Sequence, residues 1–549
     1  MKSSYINHFC GPRSKTNNNL LKNFDLRVYI IVISLFCSGI IQSQEKKVIE
    51  IKQAGSFDKN ENVNPGANVL RKNKDTRVHL FHEGMNIYSD YALFYKASNS
   101  FKANGNVVVK QGDSITMISE NLDYDGNKRK IVARGNVDFT NKETNLKTDI
   151  LFHDRNLKEF FFLNGGVIKD SVTLIRSKEG RYFQKQSKYK FKKNVFIENP
   201  NYNIKSDELD YFTKSEFTFF YGPTKIVGKD YEIYCENGFY NTIEKNGYFN
   251  KNSKINYNNR VIKGDSLTFD DKKKFALGVD NITITDTINK TIIKGNYAEV
   301  FKLLDSAMIT RKSFAIKIID KDSLFIKADS LFAIGPANAR KIKGRYNVKI
   351  FKSNMSGRSD KILIDEQSGI TKLIRNKISP KQTQIMTQNE ITKINPILWI
   401  ANNQMTGDEI HITRDLKTND MDSLKILNNA FVIEKDTLGL NNYNQMKGIT
   451  LLGKFYKNNL KTVNLIQNTE MVYYLYDDQT KELVGIDKAI CSSINMDIEN
   501  NAIKEITFFT DPEGVVSPEK DLEENLKFLD GFNWRISEKI KNKNKLFDD

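Results

Sequence analysis

The chain has 549 residues, 39% of them hydrophobic and 28% charged, with a formal net charge of +17. That balance excludes a disordered chain and a multi-spanning membrane protein, and leaves room for several ordinary domains or one extended repeat array. With 35 Phe and 23 Tyr against only 9 Pro, the composition favours strands; the positive charge suits anionic partners, although the lysines are spread thinly, as on a solvated β surface.

The first element is a leader. Lys15, Lys22 and Arg27 precede the apolar run Val28 to Ile41, which exits through Gln42-Ser43-Gln44. A basic start, a short apolar stretch and a small polar exit predict a secretory signal over residues 1–43, cleaved near Ser43. The run falls short of the ~20 residues that span a bilayer. Bulky Phe36 before Cys37 argues against a lipid-modified cysteine. Residues 44–85 read as a linker. Cys10 and Cys37 leave with the leader, so Cys235 and Cys491 remain, too few for a disulfide framework or a zinc site. Two separate buried thiols are expected.

From residue 86 the sequence repeats. Phe101-Lys-Ala-Asn-Gly-Asn-Val107, Ile131-Val-Ala-Arg-Gly-Asn-Val137 and Phe161-Phe-Leu-Asn-Gly-Gly-Val167 superimpose at an offset of 30. A second motif, Ser/Thr-Asp-x-Leu-x-Phe/Tyr, follows each, as in Ser119 to Tyr124, Ser206 to Tyr211 and Gly264 to Phe269, with relatives at Thr148 to Phe152 and Arg358 to Ile364. A mostly acidic column runs Glu120, Asp149, Lys178, Asp207, Glu236, Asp265 in steps of 29, then loosens through Asn296, Asp329, Asp360 and Asp408. Within a unit apolar and polar residues alternate, the mark of strands with one buried face. Asp125-Gly126-Asn127, Asn141-Lys142-Glu143 and Asp270-Asp271-Lys272 supply turns. Such a unit cannot bury its own apolar face, so units must stack. The expected fold is an all-β, elongated repeat β-jellyroll: two facing antiparallel sheets built from stacked units of about 29–30 residues.

The repeat array is expected over 86–380. A second β section of the same style follows over 381–510, restarting at Asn395 to Trp399, Gly407 to Ile412 and Leu424 to Ile433. Residues 511–549 form a charged tail with a short helix through Leu522 to Leu529 and a frayed, lysine-rich end.

Chemistry is hard to find. His8, His79, His82, His153 and His411 have no clustered ligands around them, and no nucleophile elbow, phosphate loop or metalloprotease motif occurs. The column acids are lone residues beside strands rather than calcium loops; they read as a wet rim balanced by lysines. Aromatics such as Tyr124, Phe139 and Phe152 can stack bases, but interior lining is their simpler use. No catalytic residue, metal or cofactor is expected, and no nucleic-acid partner.

The alternation of Ala103-Asn-Gly-Asn-Val107 with Ser119 to Tyr124 at thirty-residue intervals resembles the OstA-like proteins, whose fold is shared by the lipopolysaccharide-transport protein LptA and the periplasmic part of LptD. Asn395 to Trp399, Gly407 to His411 and Gly531-Phe-Asn-Trp534 look like the larger OstA-like proteins of the Bacteroidetes type. The resemblance, over roughly 80–535, implies an open β-jellyroll whose slot shelters lipopolysaccharide acyl chains. It also implies a periplasmic location, with outer-membrane association as the alternative, and sheet-edge pairing with other lipopolysaccharide-transport proteins and the outer-membrane translocon. Exposing each methylene costs ~0.8 kcal/mol, and the expected apolar lining is Phe101, Val107, Val109, Leu122, Tyr124, Ile131, Val137, Phe139, Phe152, Leu163 and Val167. The same residues could pack as a closed core, and the alternation does not choose between the two. A secreted β-solenoid that binds or cleaves polysaccharide and a structural surface protein are the rival readings.

Overall fold

A computed structural model describes residues 47–142, 144–257, 259–319, 322–376, 386, 390, 393–499 and 502–547. The expected signal segment, residues 1–43, lies outside them. The described residues are strands almost throughout, joined into one antiparallel ladder.

The long strands explain the shape. Ser100–Gln111, Ile115–Asp125, Lys130–Asn141 and Thr144–Asp154 are each 11–12 residues long, and the two halves of a strand take different partners. Ser100–Gln111 pairs by its first half with Tyr91–Tyr95 and by its second with Met85–Ser89. Between the halves stand Gly105 (φ +77°) and Asn106 (φ 45°), two consecutive left-handed residues. Such residues turn a strand sharply, and Gly and Asn tolerate the conformation best. The same corner recurs at Gly135/Asn136, Lys193/Asn194, Lys251/Asn252, Asp280/Asn281, Arg311/Lys312, Tyr346/Asn347, Asn428/Asn429 and Gln467/Asn468. Stacked corners fold the ladder along a seam into two facing sheets.

The seam explains the acidic column. Asn106 Nδ2 donates to Asp90 (2.8 Å), Asn136 to Glu120 (2.6 Å), Asn252 to Glu236 (2.7 Å), Asn281 to Asp265 (2.6 Å) and Asn347 to Asp329 (2.8 Å). Each acid braces the corner of the following strand. The column was expected at a wet rim; it lies instead along the closed spine.

Opposite the seam are two rims of hairpin turns. The first sheet ends in turns such as 96–99, 126–129 and 155–158, the second in 83–84, 112–114 and 170–173. Inward residues of both sheets merge into one apolar interior from Ile49 to Met496.

Two expectations need correction. Residues 44–85 are not a linker over their described part: Glu50–Gln53 pairs with Val78–His82, and Asn68–Arg71 with Tyr91–Tyr95, so the array starts near residue 50. The tail is not frayed either. Among its described residues the only helical pieces are short 3₁₀ turns at Glu519–Asp521, Glu524–Lys527, Ile536–Glu538 and Lys543–Leu546. It runs back as a strap across the outer face of the second sheet. Gln445 grips it through Lys527 O (2.9 Å) and Leu529 N (2.9 Å), and Gln404 through Asn533 O and Arg535 N (both 2.7 Å). Arg358 reaches Glu538 O (2.9 Å), and Phe547 lies 4.9 Å from Phe314. Beneath the strap Phe431, Ile433, Val472, Tyr474, Ile486 and Leu529 form a second small core.

Candidate functional site

Eight of the eleven expected lining residues face the interior: Phe101, Val107, Val109, Leu122, Tyr124, Ile131, Val137 and Phe139, each at most 7% exposed. Phe152, Leu163 and Val167 do not. Leu163 and Val167 are 45% and 37% exposed, and Phe152 is half-buried on the outer face, stacked on Phe161 at 4.7 Å. Their inward counterparts are Phe160, Phe162 and Ile168, with His153 stacked on Phe160 at 3.8 Å.

Over most of its length the mouth between the rims is bridged. Near the start, Glu83 of the second rim meets Arg129 and Arg155 of the first (Arg155 at 3.7 Å), and His82 Nδ1 lies 2.6 Å from the Tyr124 hydroxyl. Burial would raise the Glu83 pKa, but the Arg129 hydrogen bond and the nearby positive charges hold it below the usual carboxylate range. Midway, Tyr231 and Tyr240 join hydroxyls at 2.9 Å, and Asp230 pairs with Lys302. Further on, Arg260 (second sheet) meets Asp305 (first rim, 2.9 Å), and Arg340 (first rim) meets Asp286 (second sheet, 3.0 Å), with both arginines 2% exposed. Lys317 then crosses to Glu366 (2.8 Å). Behind these bridges the interior is filled by its own side chains.

Beside Asp230 the mouth widens into a polar notch of about 420 Å³, lined by Lys229, Lys245 and Lys274 with Asp230 and Asp271. At the far end the sheets part. A cavity of about 340 Å³ opens there between Met405, Val432 and Met446 of the second sheet and Leu451, Leu460, Val463, Met496, Ile498 and Ile503 of the first. Sequence reasoning marked the strand Leu424 to Ile433 but not this lining, because alternation shows which residues face inward and not where the two faces separate.

The remaining polar candidates are structural. His79 bonds Asn86 (2.9 Å), His82 also bonds Lys47 O (2.9 Å), and His411 bonds Glu409 (2.9 Å). Cys235 and Cys491 are buried and free, and burial pushes the Cys235 thiol up to about 12. Among the described residues no group of three or more His, Cys, Asp or Glu gathers as a metal site.

A seam of bent strands, one apolar interior and a mouth along one side define a two-sheet β-jellyroll trough. Residues 45–207 match the family model of the OstA-like proteins. The corners and rims run on past residue 207 in the same style, to Gln467/Asn468. No curated protein matches the chain.

Proposed function

We propose that the protein is a non-enzymatic carrier of lipopolysaccharide in the cell envelope, exported by its N-terminal segment, and that it holds acyl chains between its two sheets on the way to the outer membrane. The observation that carries this reading is the unbroken apolar interior from Ile49 to Met496, shared by two sheets whose strands cross along one seam and whose opposite rims meet through side chains alone.

The carrier reading assigns work to the surrounding features. The rims part to load the closed section, so the Glu83, Asp286 and Glu366 bridges are latches. The lysines of the notch meet lipid phosphates by charge-assisted hydrogen bonds. At each end of the array a pair of strands has one side unpaired among the described residues: Glu50–Gln53 and Ser56–Lys59, then Ala502–Phe509 and Glu513–Ser517. Such edges take a further strand from a transport partner or the translocon and continue the trough.

The test is photo-crosslinking in the native envelope with the probe at Val432 in the open section, at Val137 in the closed section, and at exposed Lys110 as the outer control. Lipopolysaccharide adducts at Val432 and Val137 but not at Lys110 are expected. Adducts at neither interior position, with the protein folded and exported, would leave a structural or polysaccharide-binding protein.

A further inference from the structure

The open end differs in sign from the notch. On the inner face of the second sheet a polar row borders the cavity close to its rim. Asn403 pairs with Glu434 and Glu434 with Asn444, and Tyr473 pairs with Asp487 further along. One step toward the seam the side chains become Met405, Val432 and Met446, and the facing wall from the first sheet is entirely aliphatic or Met. The cavity is therefore divided into an apolar trough and a polar margin on one side only.

The carboxylates there do different work. Asp436 braces the loop 436–442: it accepts from the Tyr476 hydroxyl and from the backbone N–H of Leu438 and Gly439. Glu434 has no such duty. Its hydrogen bond, from Asn444 Nδ2, is stretched to 3.5 Å. Burial raises the pKa of Glu434, with Asp436 adding to the effect, and burial raises that of Asp487. Burial disfavours the charged form of Glu434, and an incoming cation, unlike a phosphate, offsets that cost. Lys435, the one base among the described residues lining the cavity, is exposed and ends its strand.

We infer that this cavity binds an amphiphile bearing a protonated amine, its aliphatic chain between Val432, Met446, Leu451 and Ile503 and its ammonium group at Glu434. The volume of about 340 Å³ falls at the lower end of small-ligand sites, enough for one chain rather than several. The inference rests on the carrier reading and sharpens it: the notch takes anionic head groups, and the open end takes cationic ones.

The experiment titrates the full-length mature protein with n-dodecylamine and, separately, n-dodecyl phosphate, each below its micelle concentration, by calorimetry. It is repeated with Glu434→Gln, whose fold is checked by circular dichroism and thermal melting. The expected result is at least ~10-fold tighter binding of the amine by the unaltered protein, with the preference abolished in Glu434→Gln while chain binding persists. Equal binding of the two, or tighter binding of the phosphate, overturns the amine assignment and leaves the carrier reading standing. Binding of neither overturns both. A preference that survives Glu434→Gln overturns the role of Glu434.

Discussion

Trp399 and Trp534 meet edge to face, their ring centroids 4.9 Å apart and their planes at 73°. They are the only two tryptophans in the chain. One lies on the outer face of the second sheet, 1% exposed, and the other on the C-terminal strap. Neither motif has an evident use alone; together they pin the strap to the sheet, with Tyr443 packed 5.4 Å from Trp534.

The first prediction uses that contact as its own reporter. Trp534→Ala should cost about 3 kcal/mol, toward the low end for large aromatic truncations because the ring is only partly buried. The strap should lift, trypsin should cut at Lys527 and Lys539, and the emission of Trp399 should shift to the red as water reaches it. A strap as protease-resistant as in the unaltered protein would show that other contacts hold it.

The seam supplies the second. Asn136 sits at φ 45° and donates to Glu120 at 2.6 Å. Asn136→Val places a β-branched residue in a left-handed corner and removes the brace, so a loss of about 1–3 kcal/mol in a urea titration is expected. Asn136→Gly keeps the backbone conformation and should lose less. Equal losses would mean the hydrogen bond, not the backbone, matters at the corner. Asn136→Asp sets a second carboxylate against Glu120 and should also lose stability.

The fold class and most of the inward face were legible in the sequence because the strand period is two and the repeat is long. Two of the three misplaced lining residues, Leu163 and Val167, share one cause. An offset of 30 holds from Phe101 to Ile131, but the next step is 29, taking Ile131 to Phe160 and Tyr124 to His153. Carrying 30 forward selects Phe161 and Val167, and a one-residue slip moves a side chain to the opposite face. The acidic column already advanced by 29 and held the correction. The docked strap and the cross-mouth ion pairs were not legible, because they join residues tens to more than a hundred positions apart, with no period to betray them.

Those ion pairs give the third prediction. Arg340→Ala strips Asp286 of its buried partner, and breaking such a pair costs about 3–5 kcal/mol because a charge stays behind. Thermal melting of the unaltered protein should also fall in acid. Burial works to raise the Asp286 pKa, but hydrogen bonds from Asn289 and the charge of Arg340 outweigh it and hold it below the ordinary aspartate value of 3.8. A carboxyl depressed on folding stabilises above its unfolded pKa and loses that contribution as pH drops through the folded value. Asp286→Asn should therefore show a shallower decline below about pH 4. An identical acid limb in the two proteins would remove Asp286 from the account.

His153 gives the fourth, with the opposite chemistry and a different window. Burial, then the positive charge of Arg155, lowers its pKa from 6.5 to about 3, against a smaller opposing pull from Asp154. The neutral ring lies on Phe160 at 3.8 Å and 13°. The unfolded chain binds a proton near pH 6.5 that the folded protein refuses until about 3, so between those values the unfolded state holds more protons. Stability contributed by the neutral ring is thus complete above pH 6.5 and drains away as pH falls toward 3. His153→Phe keeps an aromatic surface against Phe160 and removes the proton. Its urea midpoint should change less between pH 7 and pH 5 than that of the unaltered protein. If both midpoints fall together, the acid sensitivity of this part of the interior comes from another group, with the carboxylates of the mouth next in line.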